Sequence, residues 1–139
     1  MNKLLVQRRA KYAMDKVNTV AANHDVATEY ARHIMKLPVM VLNNGLGQAL
    51  AYLLAECEEN NWACCLYQDI DAWLNGTPND DYPCRVYGAP VPGANASNKL
   101  IEELMNGNRS QYFRAQQEAL LLLGWMTKFA NAYLPKKGA

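Results

Sequence analysis

The chain lacks any apolar run long enough to cross a membrane. The longest apolar stretch among its 139 residues, 119–126, contains Gly124 and falls far short of the roughly 20 residues that a spanning helix needs. Near the N-terminus only Leu4 to Val6 are consecutively apolar, which is too short a run for the core of a secretory signal. We therefore expect a soluble, cytoplasmic protein with no membrane partner.

Histidine is scarce, and the spacing of the cysteines matches no common metal site. The four cysteines, at positions 57, 64, 65 and 84, form no C-x-x-C pair. His24 and His33 are the only histidines, which is too few for a metal-dependent hydrolase site. We expect His24 on the apolar face of the first helix and His33 at the surface. The cysteines are predicted to be reduced, metal-free thiols in a cytosol.

Motifs for catalysis and cofactor binding are missing as well. No serine stands in the Gly-x-Ser-x-Gly setting of a nucleophile elbow. The segment 45–50 resembles a dinucleotide-binding loop only superficially, because the third glycine is absent and no buried strand precedes it. The sequence therefore predicts a protein that is not an enzyme, with no catalytic residue, no metal and no cofactor.

Lysine and arginine are absent from the middle of the chain. Residues 1–36 and 85–139 each carry seven basic and three acidic groups, whereas residues 37–84 carry seven acidic groups only, so the three sums are +4, −7 and +4. The net charge of +1 is far from the balance of a free-standing nucleic-acid binder. Both ends of the chain are cationic and the middle is anionic.

Segments in which apolar and polar residues alternate, as they do in a strand, are missing, which predicts an all-α fold. Apolar residues instead recur at steps of three and four. We expect a compact single domain, 1–139, of five to six helices. Asp25 is predicted to cap the second helix, Pro38 to lie in the first turn of the third, and Asn108 with Gln111 to cap the last. The expected ranges are about 2–23, 25–36, 38–59 with a kink or break near Gly45, 61–75, 98–106 and 109–134.

Residues 76–97 interrupt the helical pattern. This segment holds four prolines and three glycines and has no apolar period, which predicts a long and mobile loop. We expect it to contain the first protease-sensitive site.

The last helix has the strongest periodicity in the chain. Its core stripe contains Tyr112, Ala115, Ala119, Leu122, Met126, Phe129 and Tyr133, and the matching stripe of the first helix contains Val6, Ala10, Ala13, Val17, Val20 and His24. Leu120, Leu121 and Trp125 lie off the last helix's stripe, so this helix needs cover on a second side. It is either central to the bundle or part of an interface.

Basic side chains off the core stripes are the candidates for contact with nucleic acid. On the last helix Arg114, Leu121, Trp125 and Lys128 share a row, and successive charges on a rigid helix can follow a phosphate backbone. An ordinary solvated face explains the same pattern. The candidate RNA-binding residues are Arg8, Arg9, Lys11, Lys16, Arg114, Lys128, Lys136 and Lys137.

Three blocks of sequence resemble the small helical subunit of the type III-B CRISPR effector, the Cmr complex. They are 7–13 (QRRAKYA), 36–53 with its Asn-Asn-Gly-Leu-Gly-Gln-Ala-Leu core, and 118–130 (EALLLLGWMTKFA). Their order and spacing match across almost the whole chain, and the middle block is the most specific. The family positions that are structural or interfacial fall on Asn43, Asn44, Gly45, Gly47, Gln48, Leu121 and Trp125.

The resemblance implies a non-catalytic helical bundle. It implies that copies of the chain stack in a short filament along the guide RNA, beside the backbone and large subunits, and help to hold the target RNA. Segment 76–97 and the Cys64-Cys65 pair depart from the family pattern. A free-standing helical adaptor that binds a partner protein through its apolar last helix is the alternative from another functional class.

Overall fold

The structure, a computed structural model, describes residues 4–75, 86–87 and 99–135. Within these residues it contains seven helices and no strand, which confirms the predicted all-α class. In chain order the helices are α1 (Leu5–Ala21), α2 (His24–Ile34), α3 (Leu37–Asn44), α4 (Leu46–Glu56), α5 (Trp62–Asn75), α6 (Lys99–Asn106) and α7 (Arg109–Tyr133).

The helix number exceeds the expected five to six because Gly45 ends one helix and begins another. Its φ of 90° lies outside the helical region, so α3 and α4 are separate helices rather than one kinked helix. The break itself lies where the sequence predicts it. Pro38 occupies the first turn of α3 as expected, where its missing N–H removes no helical hydrogen bond.

Side-chain caps define the start of three helices. Asn108 and Gln111 form the predicted capping box of α7. At α5 the Asn61 side chain accepts hydrogen bonds from the N–H groups of Ala63 and Cys64. The prediction that Asp25 caps α2 is wrong, because it is the side chain of Asn23, two residues earlier, that accepts from the Val26 N–H.

Helix α7 is central to the bundle. It packs against α1, α2, α3, α4 and α5, and α1 is its main neighbour. Its stripe residues Ala115, Ala119, Leu122 and Met126 are fully buried. The predicted stripe of α1 is only partly correct: Ala13, Val17 and Val20 are buried, but Val6 lies in the first turn of the helix and is 46% exposed.

Both histidines lie elsewhere than predicted. His24 is exposed because α1 ends at Ala21 and His24 begins the next helix, so it no longer continues the α1 stripe. His33 is half-buried and stacks flat on Trp62 with a centroid separation of 3.7 Å. Burial lowers the pKa of His33, and the nearby Arg32 lowers it further.

The cysteine prediction is wrong for one pair. Cys57 and Cys64 form a disulfide, with their Cα atoms 4.7 Å apart, because the turn between α4 and α5 brings the two residues together. Cys65 is a free thiol. Sequence spacing could not show this pairing, since it depends on how the chain reverses between two helices.

The predicted loop at 76–97 falls outside the described residues except for Val86 and Tyr87. Both of these side chains are buried in the core, and the Val86 N–H donates to the Leu74 carbonyl at 2.9 Å. Among the helices that the structure describes, none is long and apolar enough to span a bilayer.

Candidate functional site

One face of α7 remains open although the helix is central. Leu121 is 47% exposed, and Leu120, Gly124 and Trp125 beside it are half-buried. Together with Lys128 these residues line an open groove of about 220 Å³. The second apolar side that the sequence predicts is therefore a surface, and α7 is both a core helix and a candidate interface.

Aromatic rings continue this face toward the end of the helix. Trp125 stacks on Phe129, and Phe129 stacks on Tyr133, with centroid separations of 5.8 Å in both pairs. The four-residue spacing of these rings aligns them along one side of α7. Tyr133 is 51% exposed, so the row ends at the surface.

Cationic side chains flank the groove on the same helix. Lys128 is exposed at its edge, and Arg114 is exposed at the opposite end of the row. The two residues are 14 positions apart, which corresponds to about 21 Å along a helix. Charge and an aromatic surface are thus combined on one rigid element, as contact with single-stranded nucleic acid requires.

The basic residues of α1 have different surroundings. Lys11 is exposed, and its ammonium group pairs with Asp15 at 2.8 Å. Lys16 is half-buried and lies over the Tyr12 ring at 5.4 Å from the centroid. Arg8 is half-buried. Lys136 and Lys137 lie outside the described residues.

Arg9 does not lie off the core as expected. Only 7% of the residue is exposed, and its guanidinium forms a two-pronged ion pair with Glu118 of α7 at 2.7 and 3.0 Å. Glu118 also accepts a hydrogen bond from the Trp73 indole of α5 at 2.8 Å. The Arg9–Glu118 pair therefore connects α1 with α7, and Glu118 extends the connection to α5, so Arg9 is not part of the interface proposed below.

The glycine-containing family block packs onto α7. The Tyr112 hydroxyl accepts a hydrogen bond from the Gly47 N–H at 3.0 Å, and the Gln116 side chain accepts from the Leu46 N–H at 3.0 Å. These contacts satisfy N–H groups at the start of α4 that have no partner within the helix. A Cβ on Gly45 would lie 3.0 Å from the Tyr112 hydroxyl.

The block therefore has two kinds of surface. Gly45 and Gly47 allow the backbone at the start of α4 to lie close to α7. Asn43, Asn44 and Gln48 are exposed. The glycines act structurally, and the three amides are available to a partner.

A buried carboxyl lies at the junction of α1, α2 and α5, and it is not among the residues predicted from sequence. Asp69 is 8% exposed and accepts a hydrogen bond from the Tyr30 hydroxyl at 2.9 Å. Burial raises the pKa of Asp69 to about 7, while the Tyr30 hydrogen bond and the charge of Lys16 act in the opposite direction. A signal was present in the sequence, because Asp69 lies three residues after Leu66, on the apolar face of its helix.

Within the described part of the chain, no group of three or more His, Cys, Asp or Glu side chains is placed to hold a metal ion.

The comparisons with known proteins agree on one family. Residues 5–133 match the model of a family described as CRISPR-associated protein (Cas_Cmr5). The fold is similar to the X-ray crystal structure of a CRISPR-associated Cmr5 family protein from Thermus thermophilus, with a TM-score of 0.71 and 26% sequence identity. That match covers 96% of this chain and 100% of the other. The match confirms the resemblance found in the three sequence blocks, and the chain belongs to the Cas_Cmr5 family of small, all-α CRISPR-associated subunits.

Proposed function

We propose that the chain is the non-catalytic small subunit of a cytoplasmic type III-B CRISPR ribonucleoprotein effector. In this role it associates with the other Cmr subunits, stacks head to tail with further copies of itself and helps to hold the target RNA along the guide. Family membership supports the place in the complex. The contacts with RNA and with neighbouring copies are inferred from the surface of this chain.

The open face of α7 is the observation that carries the RNA contact. It combines the exposed cations Arg114 and Lys128 with Leu121 and the half-buried indole of Trp125. Lys and Arg bind phosphates without reading sequence, and an aromatic surface stacks on any base. Such a surface suits a subunit that holds a target whose sequence is read by pairing with the guide.

The separation of charge supports head-to-tail stacking. The anionic middle of the chain presents exposed carboxylates at the α4–α5 turn, and exposed cations lie on α1 and α7. Opposite charges at two different surfaces of one molecule favour a repeating contact between copies, because the same pairing recurs at each junction. The acidic residues are Glu56, Glu58 and Glu59.

Charge reversal on α7 tests the RNA contact. In the assembled complex, Arg114→Glu with Lys128→Glu should weaken retention of target RNA, whatever its sequence. The slope of log affinity against log salt should become shallower by about 0.7 for each phosphate of a single strand that the variant no longer neutralises. The matched control is Arg32→Glu with Lys36→Glu, which changes the net charge equally at two exposed residues of the α2–α3 region.

Subunit content and helicity must be equal in all three complexes for the comparison to hold. A loss of RNA retention in the α7 variant, but not in the Arg32/Lys36 control, supports the proposal. Unchanged affinity and salt dependence in the α7 variant would contradict it and would favour the adaptor alternative, in which the apolar face of α7 binds a protein instead.

A further inference from the structure

The turn between α4 and α5 is closed by a covalent bond. Cys57 follows the last residue of α4, Cys64 lies in the first turn of α5, and their sulfurs are bonded across seven positions of sequence. The bond joins two helices at a point where the chain reverses direction.

The enclosed turn has a backbone that its residues disfavour. Glu59 and Asn60 are consecutive residues with φ of 48° and 60°, and they are the only non-glycine residues with positive φ in the described chain. Asparagine tolerates this left-handed conformation, whereas glutamate does not. Closure of the turn therefore helps to hold Glu59 in a conformation that it would otherwise leave.

The start of α5 does not depend on this bond. The Asn61 side chain caps α5 through the Ala63 and Cys64 N–H groups, and it also donates to the Glu56 carbonyl at 2.8 Å. Opening the disulfide would consequently loosen residues 57–60 without unfolding either helix. This is a local two-state element rather than a support of the whole bundle.

The two sulfurs differ in accessibility. Cys57 is half-buried at the end of α4, whereas Cys64 is 4% exposed and packs into the core side of α5. A small external thiol can therefore approach the sulfur of Cys57 more readily than that of Cys64. The neighbouring Cys65 is a weak competitor, because burial and the nearby Asp69 raise the pKa of its thiol and keep it protonated.

We propose that the Cys57–Cys64 pair is a reversible redox latch, opened by a cellular dithiol, that controls the conformation of the acidic α4–α5 turn. The proposal rests on the proposed function in one respect, since an effector working inside the cell meets thiol reductants. Disulfides in such an environment are more often transient or sensory than structural. Glu56, Glu58 and Glu59 are exposed on and beside this turn, so the latch alters the surface assigned above to contact between copies.

The dithiol reduces the Cys57–Cys64 bond by thiol–disulfide exchange in two steps. A thiolate of the dithiol attacks Cys57 Sγ, the bond to Cys64 breaks, and Cys64 leaves as a thiolate that takes up a proton. The second thiol of the reductant, as its thiolate, then attacks the mixed disulfide and releases Cys57, which is protonated in turn. The latch gains two electrons and two protons, and the dithiol becomes a disulfide.

Thiol counting on the full chain tests whether the latch is reversible. Cys84→Ser in the background simplifies the count, because the remaining cysteines are the pair and Cys65. After equilibration in mixtures of a dithiol with its own cyclic disulfide, dihydrolipoate and lipoate, from oxidising to reducing, quenching and alkylation in denaturant should count one thiol per chain at the oxidising end and three at the reducing end. Three thiols in every buffer, or one in every buffer, would overturn the proposal.

Hydrogen–deuterium exchange on the same samples tests the conformational effect. Reduction should speed exchange of the amides in 57–61 by about tenfold while leaving the interiors of α4 and α5 unchanged. Cys57→Ser with Cys64→Ser should reproduce the reduced pattern in any buffer, and Cys65→Ser should retain the switch. Equal exchange in the oxidised and reduced forms would mean that the bond controls nothing and would overturn the proposal.

These measurements use the isolated chain without RNA or other subunits. Their failure would leave the α7 contact with RNA intact, and absence of the RNA contact would leave the thiol counts unchanged. Circular dichroism of the serine variants confirms that each is folded before exchange is compared.

Discussion

A single buried carboxyl, that of Asp69, affects the stability of this bundle in a way that unfolding experiments can measure. Asp69 lies where α1, α2 and α5 meet, with the Tyr30 hydroxyl from α2 on its carboxyl and Lys16 of α1 nearby. Tyr12 of α1 donates to the backbone carbonyl of Asp69. These contacts place an ionisable group in the core, and among the described residues no cation forms an ion pair with it.

The raised pKa of Asp69 predicts a stability that falls with rising pH. The pKa is about 7 in the folded chain and near 3.8 without the fold, so the folded state binds the proton more tightly. The stability that proton binding by Asp69 contributes is complete below about pH 4 and is lost as the pH rises to about 7, with an upper bound of about 4 kcal/mol. Urea unfolding at several pH values should show this decline in the wild type.

Asp69→Asn provides the comparison for that prediction, because its amide oxygen still accepts from Tyr30 but carries no charge. The unfolding free energy of the variant should depend less on pH than that of the wild type. Above pH 7 it should be the larger of the two. Parallel pH profiles for the two proteins would contradict the assignment.

Because Arg9 and Glu118 form a buried ion pair, we expect a large loss of stability when either side chain is truncated. Removing one partner leaves a buried charge unpaired, which costs about 3–5 kcal/mol, and Glu118 also holds the Trp73 indole. We expect Arg9→Ala to lower the unfolding free energy by that amount. Lys11→Ala breaks an exposed pair with Asp15 and should cost less than about 1 kcal/mol. Similar losses in the two variants would show that Arg9 is not a structural residue.

At the scale of elements, the break between α3 and α4 depends on a single glycine. Gly45 has a φ of 90°, and a Cβ there would lie 3.0 Å from the Tyr112 hydroxyl. Gly45→Ala should therefore destabilise the fold by about 1–3 kcal/mol through backbone strain and displacement of Tyr112. Thermal or urea unfolding measures the loss.

Gly124 is the matched control for that substitution. It lies inside α7, and a Cβ there would meet nothing within 4 Å. Gly124→Ala should stabilise the helix by up to about 1 kcal/mol, because alanine restricts the unfolded chain and favours helix. A larger loss from Gly124→Ala than from Gly45→Ala would refute the role given to the break.

Helix α7 is both a core helix and the element that carries the proposed contact with RNA. One side of it carries the buried stripe and the Tyr112 and Gln116 contacts to α4, and the other presents the groove with Trp125 and Lys128. Because the core anchors the helix, the exposed side chains are held on a rigid element. A surface of this kind suits a contact repeated along an assembly.

For the whole molecule, the near-neutral net charge predicts weak binding of RNA by the isolated chain. The cationic ends offset the anionic middle to leave +1. We expect a dissociation constant of about 10⁻⁴ M or weaker for single-stranded RNA at physiological salt, with tighter binding only within the complex, where weak contacts add. Fluorescence anisotropy of a labelled oligonucleotide measures it. Submicromolar binding by the isolated chain would contradict this view of the subunit.

From the sequence alone followed the helical class, the second apolar side of α7 and an interruption of the helix near Gly45. Each follows from neighbouring residues: apolar periods of three and four, the Asn108–Gln111 capping box, and a proline and a glycine at helix boundaries. Such signals act within a few positions of the chain, so they can be recognised before any tertiary contact is known. The exposed row on α7 was predictable for the same reason.

Which polar residues stabilise the fold depends on contacts between segments that are far apart in the chain. Arg9 has the sequence setting of a surface cation, yet its partner is 109 positions away, and Asp69 meets Tyr30 from another helix. The Cys57–Cys64 bond likewise depends on how the chain reverses between α4 and α5. Burial of a charge or closure of a disulfide is set by the meeting of distant segments, and periodicity along one segment carries no information about which segments meet.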